Sequence, residues 1–370
     1  MKREPDPSGL LPVSDFDGAR NAPAPQDRLR ALRHAGQQFR EQFLEELPVR
    51  FARSFNLLRV PYPAWYAFNG VYSQQMLKPH LIHLLSRMTL IQYEDFAGQL
   101  RTLLFTPADF EAGAETPYFK RMGARTPQFL HGTIAPVYAT VPQALERCGV
   151  APGQIDYISY DHLHTQDVRR WLGSEGHAGL LPNARLLVHQ QELASVHGLL
   201  PVQADWYCPN GLAGVRPERI VAFNGSVRLG RGLALVHTPG HTEGNHSLVY
   251  RTPDGIRVSS ENGVSADSWA PANSRHNGIR RFARATGAEV ILNGNTQEGS
   301  NDQYLSMVLE KTIAGTSEAH PFSNVVPSSE CTPYWLFPGA PSSHLWGETA
   351  FGELAAAKTA ALQEDRSAAQ

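Results

Sequence analysis

Cysteine is scarce in this chain. Three stand in 370 residues, Cys148, Cys208 and Cys331, and no two form a C-x-x-C pair. So dispersed and odd a set argues against a disulfide scaffold and against a cysteine zinc cluster, and it fits a reducing compartment. A basic excess is missing too: 33 Lys and Arg stand against 35 Asp and Glu, a net charge of −2. The electrostatic footprint of a nucleic-acid binder is therefore absent, and no Lys/Arg run offers a handle for an anionic membrane. No segment approaches 18 consecutive apolar residues, and the opening MKREPDPSGLLPVSDFDGAR lacks the apolar stretch of a signal peptide. The expectation is a soluble, cytoplasmic protein with neither nucleic acid nor membrane as partner.

What is present suits a globular fold. The 42% hydrophobic content can supply a core, and the length allows one large or two ordinary domains. Residues 1–32 are rich in Pro, Asp, Gly and Arg without a period, and read as a flexible tail. Residues 33–345 carry the periodic segments. Residues 346–370 hold an alanine-rich run that reads as a C-terminal helical tail. Arg33–Leu47 predicts a helix with Phe39, Phe43, Leu44 and Leu47 on one face. That face is read as core contact, with a dimer arm as the alternative, so a homodimer is among the expected states. Arg87–Phe105 predicts two strands about a turn at 96–99. A proline-marked stretch follows, with Pro107, Pro117, Pro127 and Pro136, and reads as a lid or substrate-facing loop. Helices are expected over 141–148, from Gln190, over 274–287 and over 302–315. Strands are expected over 155–159, 184–189, 219–238, 246–260 and 288–294. An antiparallel cluster, helices, then more strands suggest two sheets with helices outside them.

The chemistry concentrates in DYISYDHLHTQD, Asp156 to Asp167. An extended segment puts residues i and i+2 on the same side, so His162 and His164 aim two imidazoles at one point. A second element is HTPGHTEGNHSLVY, where Pro239-Gly240 forces a turn at a strand end and projects His241. Three imidazoles from two strand ends make a zinc-type site, in which three protein ligands leave a position open. Glu261 follows another β-prone run and could be a fourth ligand or hold a water.

H-x-H, then T-P-G-H-T, then an acid after a strand resembles the metallo-β-lactamase fold superfamily over roughly residues 53–307. The resemblance implies an α/β fold, a four-layer αββα sandwich of two mixed sheets with helices outside. It also implies a first motif H-x-H-x-D-H, which here stands as His162-Leu163-His164-Thr165-Gln166-Asp167. The usual Asp is Gln166 and the usual last His is Asp167. Glu261 stands at the bridging-acid position, and Asn295 at the last histidine position. Three states follow: one metal on His162, His164 and His241, with or without Glu261; a second metal on Asp167, Glu261 and Asn295, where oxygen ligands favour Mn or Fe over zinc; or an inert site.

The expected activity is metal-dependent hydrolysis of an ester, lactone or thioester, with a small-molecule substrate and one zinc ion. Glutamine cannot act as a general base but can hydrogen-bond as a neutral group. The base role at the Gln166 position therefore passes to Asp167 or Glu261. A metal-dependent oxidoreductase on the same scaffold, and a metal-binding protein without turnover, are the alternatives.

Overall fold

Alternation along the strands decides the layers. The computed structural model of the chain describes residues 9–74, 81–294, 299–336 and 342–355. In the strand Leu233–His237, Leu233 and Leu235 enter one core, while Ala234 and Val236 enter another on the opposite face. The strand Leu100–Phe105 does the same, sending Leu103 and Phe105 one way and Leu104 the other. A period of two with both faces apolar means both faces are covered. Each such leucine contributes about 1.5–3 kcal/mol on leaving water.

Two sheets result. The first runs in the order Leu11–Val13, Ser226–Gly230, Leu233–His237, His246–Thr252, Gly255–Ser260, Val325–Pro327. Its pairs are antiparallel except the last, which is parallel. The second runs Ala350–Gly352, Phe51–Pro63, Leu81–Glu94, Leu100–Phe105, Tyr157–Ser159, Arg185–His189, Ile220–Phe223, with Ser329–Cys331 paired to Leu81–Glu94. Its last three pairings are parallel. Leu235, Leu248, Ile91, Phe105 and Leu187 meet between the sheets. The helices Pro25–Leu44 and Ser300–Ala314 cover the first sheet, against Ala234, Val249 and Val258. Val141–Arg147 and Gln190–His197 cover the second, against Leu104, Ile158 and Leu186. The protein is a four-layer αββα sandwich of two mixed sheets, as expected.

Several boundaries differ from the sequence reading. Of the flexible tail expected over 1–32, residues 9–32 are part of the fold: Leu11–Val13 pairs with Ser226–Gly230, and Leu10 is buried between the sheets, while residues 1–8 lie outside the described residues. The helix expected over Arg33–Leu47 spans Pro25–Leu44. Proline fits its first turn, where the missing N–H has no partner to lose. Leu29, Leu32, Phe39 and Phe43 line its buried face, and Gly36 lets it approach Leu309 of the helix Ser300–Ala314. Leu47, expected on that face, lies beyond the helix and is exposed. Residues 288–294 form no strand, although Val290 and Ile291 are buried; their backbone bonds to Ser268 and Tyr66 rather than to a ladder. At the C-terminus, Ala350–Gly352 is a strand on Phe51–Pro63, so the fold continues past residue 345. The rest of the expected helical tail, 356–370, lies outside the described residues. The proline-marked stretch holds three short helices, Phe110–Gly113, Pro117–Ala124 and His131–Ile134.

Candidate metal centre

The strands Tyr157–Ser159, Leu233–His237 and Gly255–Ser260 all end at one edge of the sandwich. His162, His241 and Glu261 follow those ends by three, four and one residues. Val325–Pro327 runs parallel to Gly255–Ser260 with Ser260 opposite Pro327, which places Ser328 beside Glu261. The turn that carries His241 needs its glycines. Gly240 sits at φ 139°, and a Cβ there would lie 2.2 Å from the Gln303 backbone. A Cβ at Gly244 would lie 2.1 Å from the Glu192 amide nitrogen.

His162, His164 and His241 are buried and brought together. The Nε2 of His241 lies 3.2 Å from His162 Nε2 and 3.3 Å from His164 Nδ1. Asp161 fixes the first ring: its Oδ1 accepts from the His162 backbone N–H at 3.0 Å and lies 2.9 Å from His162 Nδ1. A proton on Nδ1 leaves the Nε2 lone pair facing the other two rings. Burial lowers the basicity of His162, but Asp161 outweighs it and the net shift is upward. His164 and His241 are held well below the ordinary histidine value, first by burial and then by the neighbouring rings. Two neutral rings, and a third oriented by a carboxylate, thus point nitrogens at one space. Among the described residues, their donor atoms all lie within 4.8 Å of one another, and this set fits a metal cation.

The acids divide. The carboxyl of Glu261 accepts from Ser328 Oγ at 2.9 Å and from Tyr66 Oη at 3.4 Å, and Tyr66 Oη lies 3.5 Å from His241 Nε2. Burial, and then the charge of Asp161, push Glu261 up to about 8; a cation at the histidines would oppose that rise. Ser328 Oγ is also within hydrogen-bonding distance of Asp161 Oδ2, so one hydroxyl, with a single proton to donate, links both acids. Asp167 is turned away from the histidines. It accepts from Arg169 Nε at 3.0 Å, from Arg169 Nη2 at 2.5 Å and from the Arg169 amide at 2.9 Å. It does not line the histidine pocket, so the expectation of Asp167 as ligand or base gives way to an ion pair. Gln166 does line the pocket, and its Oε1 is buried without a hydrogen-bond partner. Asn295 lies outside the described residues. Thr165 and Thr106, also on the pocket wall, sit at φ 62° and 56°, which a β-branched residue adopts only under constraint.

Sequence reasoning passed over the supporting residues. Asp161 stands in the quoted stretch, directly before His162, and an acid beside a candidate ligand is a readable signal. Tyr66, Ser328 and Glu192 gave none, because only the fold brings them near. Glu192 opens the helix Gln190–His197 and is fully buried. Its Oε1 accepts from the Leu163 N–H at 2.8 Å and from Tyr207 Oη at 3.1 Å; its Oε2 accepts from Thr242 Oγ1 at 2.6 Å. Leu163 lies between two of the histidines and Thr242 directly follows the third, so one carboxylate buckles both histidine-bearing loops. Behind His241, Asn262 accepts from its N–H at 3.2 Å and donates to Glu310, which also accepts from Ser247, Ser260 and Trp269. His246 is buried with Nε2 3.0 Å from Ser159 Oγ and its backbone N–H on the Asp161 carbonyl.

No family's sequence model matches the chain, and no curated protein matches it. Solved structures do. A quorum-quenching N-acyl homoserine lactone lactonase is 17% identical, with 67% of this chain and 93% of that one covered and a TM-score of 0.42. AidC, a dizinc quorum-quenching lactonase in complex with a product, is 11% identical over 84% and 98%, with a TM-score of 0.46. A probable metal-dependent hydrolase from Staphylococcus aureus is 14% identical over 72% and 84%, with a TM-score of 0.47.

Proposed function

We propose that this protein is a metal-dependent hydrolase that opens an ester, lactone or thioester. The observation that carries the reading is the convergence of three buried ring nitrogens, 3.2 and 3.3 Å apart, with Asp161 orienting one of them. Three imidazole donors suit one zinc ion held by His162, His164 and His241, with Glu261 beside it. When bound, such an ion polarises a carbonyl oxygen and makes a coordinated water acidic.

The chain's own residues supply the rest. Asp161 keeps the His162 ring in one tautomer and orientation. Glu261 is the carboxyl placed to take or give a proton, since Asp167 is occupied by Arg169. The hydroxyl of Tyr66 lies between Glu261 and His241 and can donate to an oxygen there. Gln166 offers a neutral amide to a neutral carbonyl substrate, where an acid would have added charge.

Elemental analysis of the native protein, joined to a panel of esters, lactones, thioesters and phosphodiesters, tests the reading. One metal per chain and turnover of a carbonyl substrate are expected. Protein that carries no metal overturns it, as does a His162→Ala variant that keeps full activity on every substrate hydrolysed.

A further inference from the structure

A second cavity, of about 450 Å³, opens beside the histidine pocket. The two share Tyr62, Ser86, Thr165, Gln166 and Ser329 as a common rim. One wall is the strand Phe51–Pro63, through Leu58 and Val60. The other is the proline-marked stretch, through Phe110, Phe119, Met122 and Ile134. Among the described residues, no Lys or Arg lines this cavity. Its two acids are engaged: Asp109 caps the helix Phe110–Gly113, and both Asp109 and Glu111 pair with Arg170. His131 faces the carbonyls of Thr126 and Gly123. A long apolar groove without an unpaired charge, leading to a polar pocket, suits a ligand with a hydrocarbon tail and a polar head.

We propose that this groove holds the acyl tail of the substrate, which is then a medium-chain ester, lactone or thioester with its carbonyl at the histidines. The inference rests on the hydrolase reading for the bond attacked, but not for the tail. A groove of about 450 Å³ falls in the range that takes a drug-sized ligand, so it has room for a medium-length hydrocarbon chain. We expect the benefit of added methylenes to end near about ten carbons. The head-group pocket is narrow and polar, and the shared rim sets the carbonyl end there rather than the tail.

Binding of neutral N-methylalkanamides, with acyl chains of four to fourteen carbons, is measured by titration calorimetry on the full-length, metal-loaded protein. Affinity is expected to rise by two- to fourfold per methylene, about what burying a CH₂ yields, and to level off near about ten carbons. Met122→Arg, on the half-exposed helix Pro117–Ala124, should flatten that series while leaving metal content unchanged. Affinity that is independent of chain length overturns the proposal. Hydrolysis of p-nitrophenyl esters over the same lengths separates the two readings. Chain-dependent binding without hydrolysis of any ester keeps the groove and overturns the hydrolase. Hydrolysis with kcat/KM indifferent to chain length keeps the hydrolase and overturns the groove.

Discussion

Removing the Glu192 carboxylate should loosen the histidine cluster although Glu192 touches none of its rings. Three donors converge on that carboxylate: the Leu163 amide at 2.8 Å, the Tyr207 hydroxyl at 3.1 Å and the Thr242 hydroxyl at 2.6 Å. In Glu192→Ala all three stay buried and lose their acceptor. An unsatisfied buried donor costs about 1–3 kcal/mol, and the two hydroxyls can turn to find other partners, so about 3–4 kcal/mol is expected. Glu192→Gln is the discriminating partner. Burial pushes the Glu192 carboxyl upward in spite of its donors. A neutral amide keeps one oxygen for Leu163 and Tyr207, and Thr242 can turn to accept from its NH₂. The cost should then be about 1 kcal/mol or less. Urea unfolding of the metal-free protein reads both: the midpoint falls strongly for Ala and slightly for Gln, with the slope m unchanged. Metal affinity, measured against a competing chelator, should drop about 10–100-fold in Glu192→Ala, the range seen when groups supporting metal ligands are removed. An Ala variant with wild-type midpoint and wild-type metal affinity would refute the buckle.

Three further outcomes follow from the same geometry. Asp161→Asn removes the acceptor that sets the His162 tautomer and should weaken metal binding by about 10–100-fold, whereas Asp167→Asn, in the Arg169 pair, should leave it within about twofold; equal effects would contradict the division of the acids. Stability should fall as the solution is acidified. His189 is held at about 2, His237 and His246 at about 4, with burial the largest cause in each. Between those values and 6.5 the unfolded chain takes up protons that the folded chain refuses, so each of these histidines lowers ΔG of unfolding by about 2 kcal/mol from pH 7 to pH 5, against an opposing gain of about 2–3 kcal/mol as Glu261, raised to about 8, takes up its proton in the fold; a urea midpoint that rises over that range, in metal-free protein, would contradict the lowered histidines. Gly244→Ala should unfold or badly destabilise the chain, because the new methyl would press on the Glu192 backbone rather than on a movable side chain.

The readable parts of this protein are those where function and local pattern coincide. H-x-H after a strand, and T-P-G-H after another, are visible because strand ends and turns impose residue types at fixed spacing. The sheets are visible for the same reason, since Leu233 to Val236 and Leu103 to Phe105 alternate between two cores. What the pattern does not encode is which acid faces inward. Gln166 and Asp167 are neighbours, yet the chain turns through Thr165 at φ 62°, sending Gln166 to the pocket and Asp167 to Arg169. A one-residue turn of that kind cannot be read from spacing, and it moves the acid expected at the site away from it. The residue that supports the cluster, Asp161, lies one place before it and hydrogen-bonds forward to His162. The missing strand at 288–294 has a similar cause: Ala288–Gly294 is apolar enough to be buried, but Asn293 donates to the Glu261 carbonyl, and the segment is spent holding the site instead of extending a sheet. The N-terminal residues were misread for the opposite reason. Their composition is that of a tail, and only elements distant in sequence, the helix Ser300–Ala314 and the sheet residues Ala234, Val249 and Val258, give Leu29 and Leu32 something to bury against. Local sequence therefore located the three histidines, and contacts distant in sequence decided which carboxylates serve them.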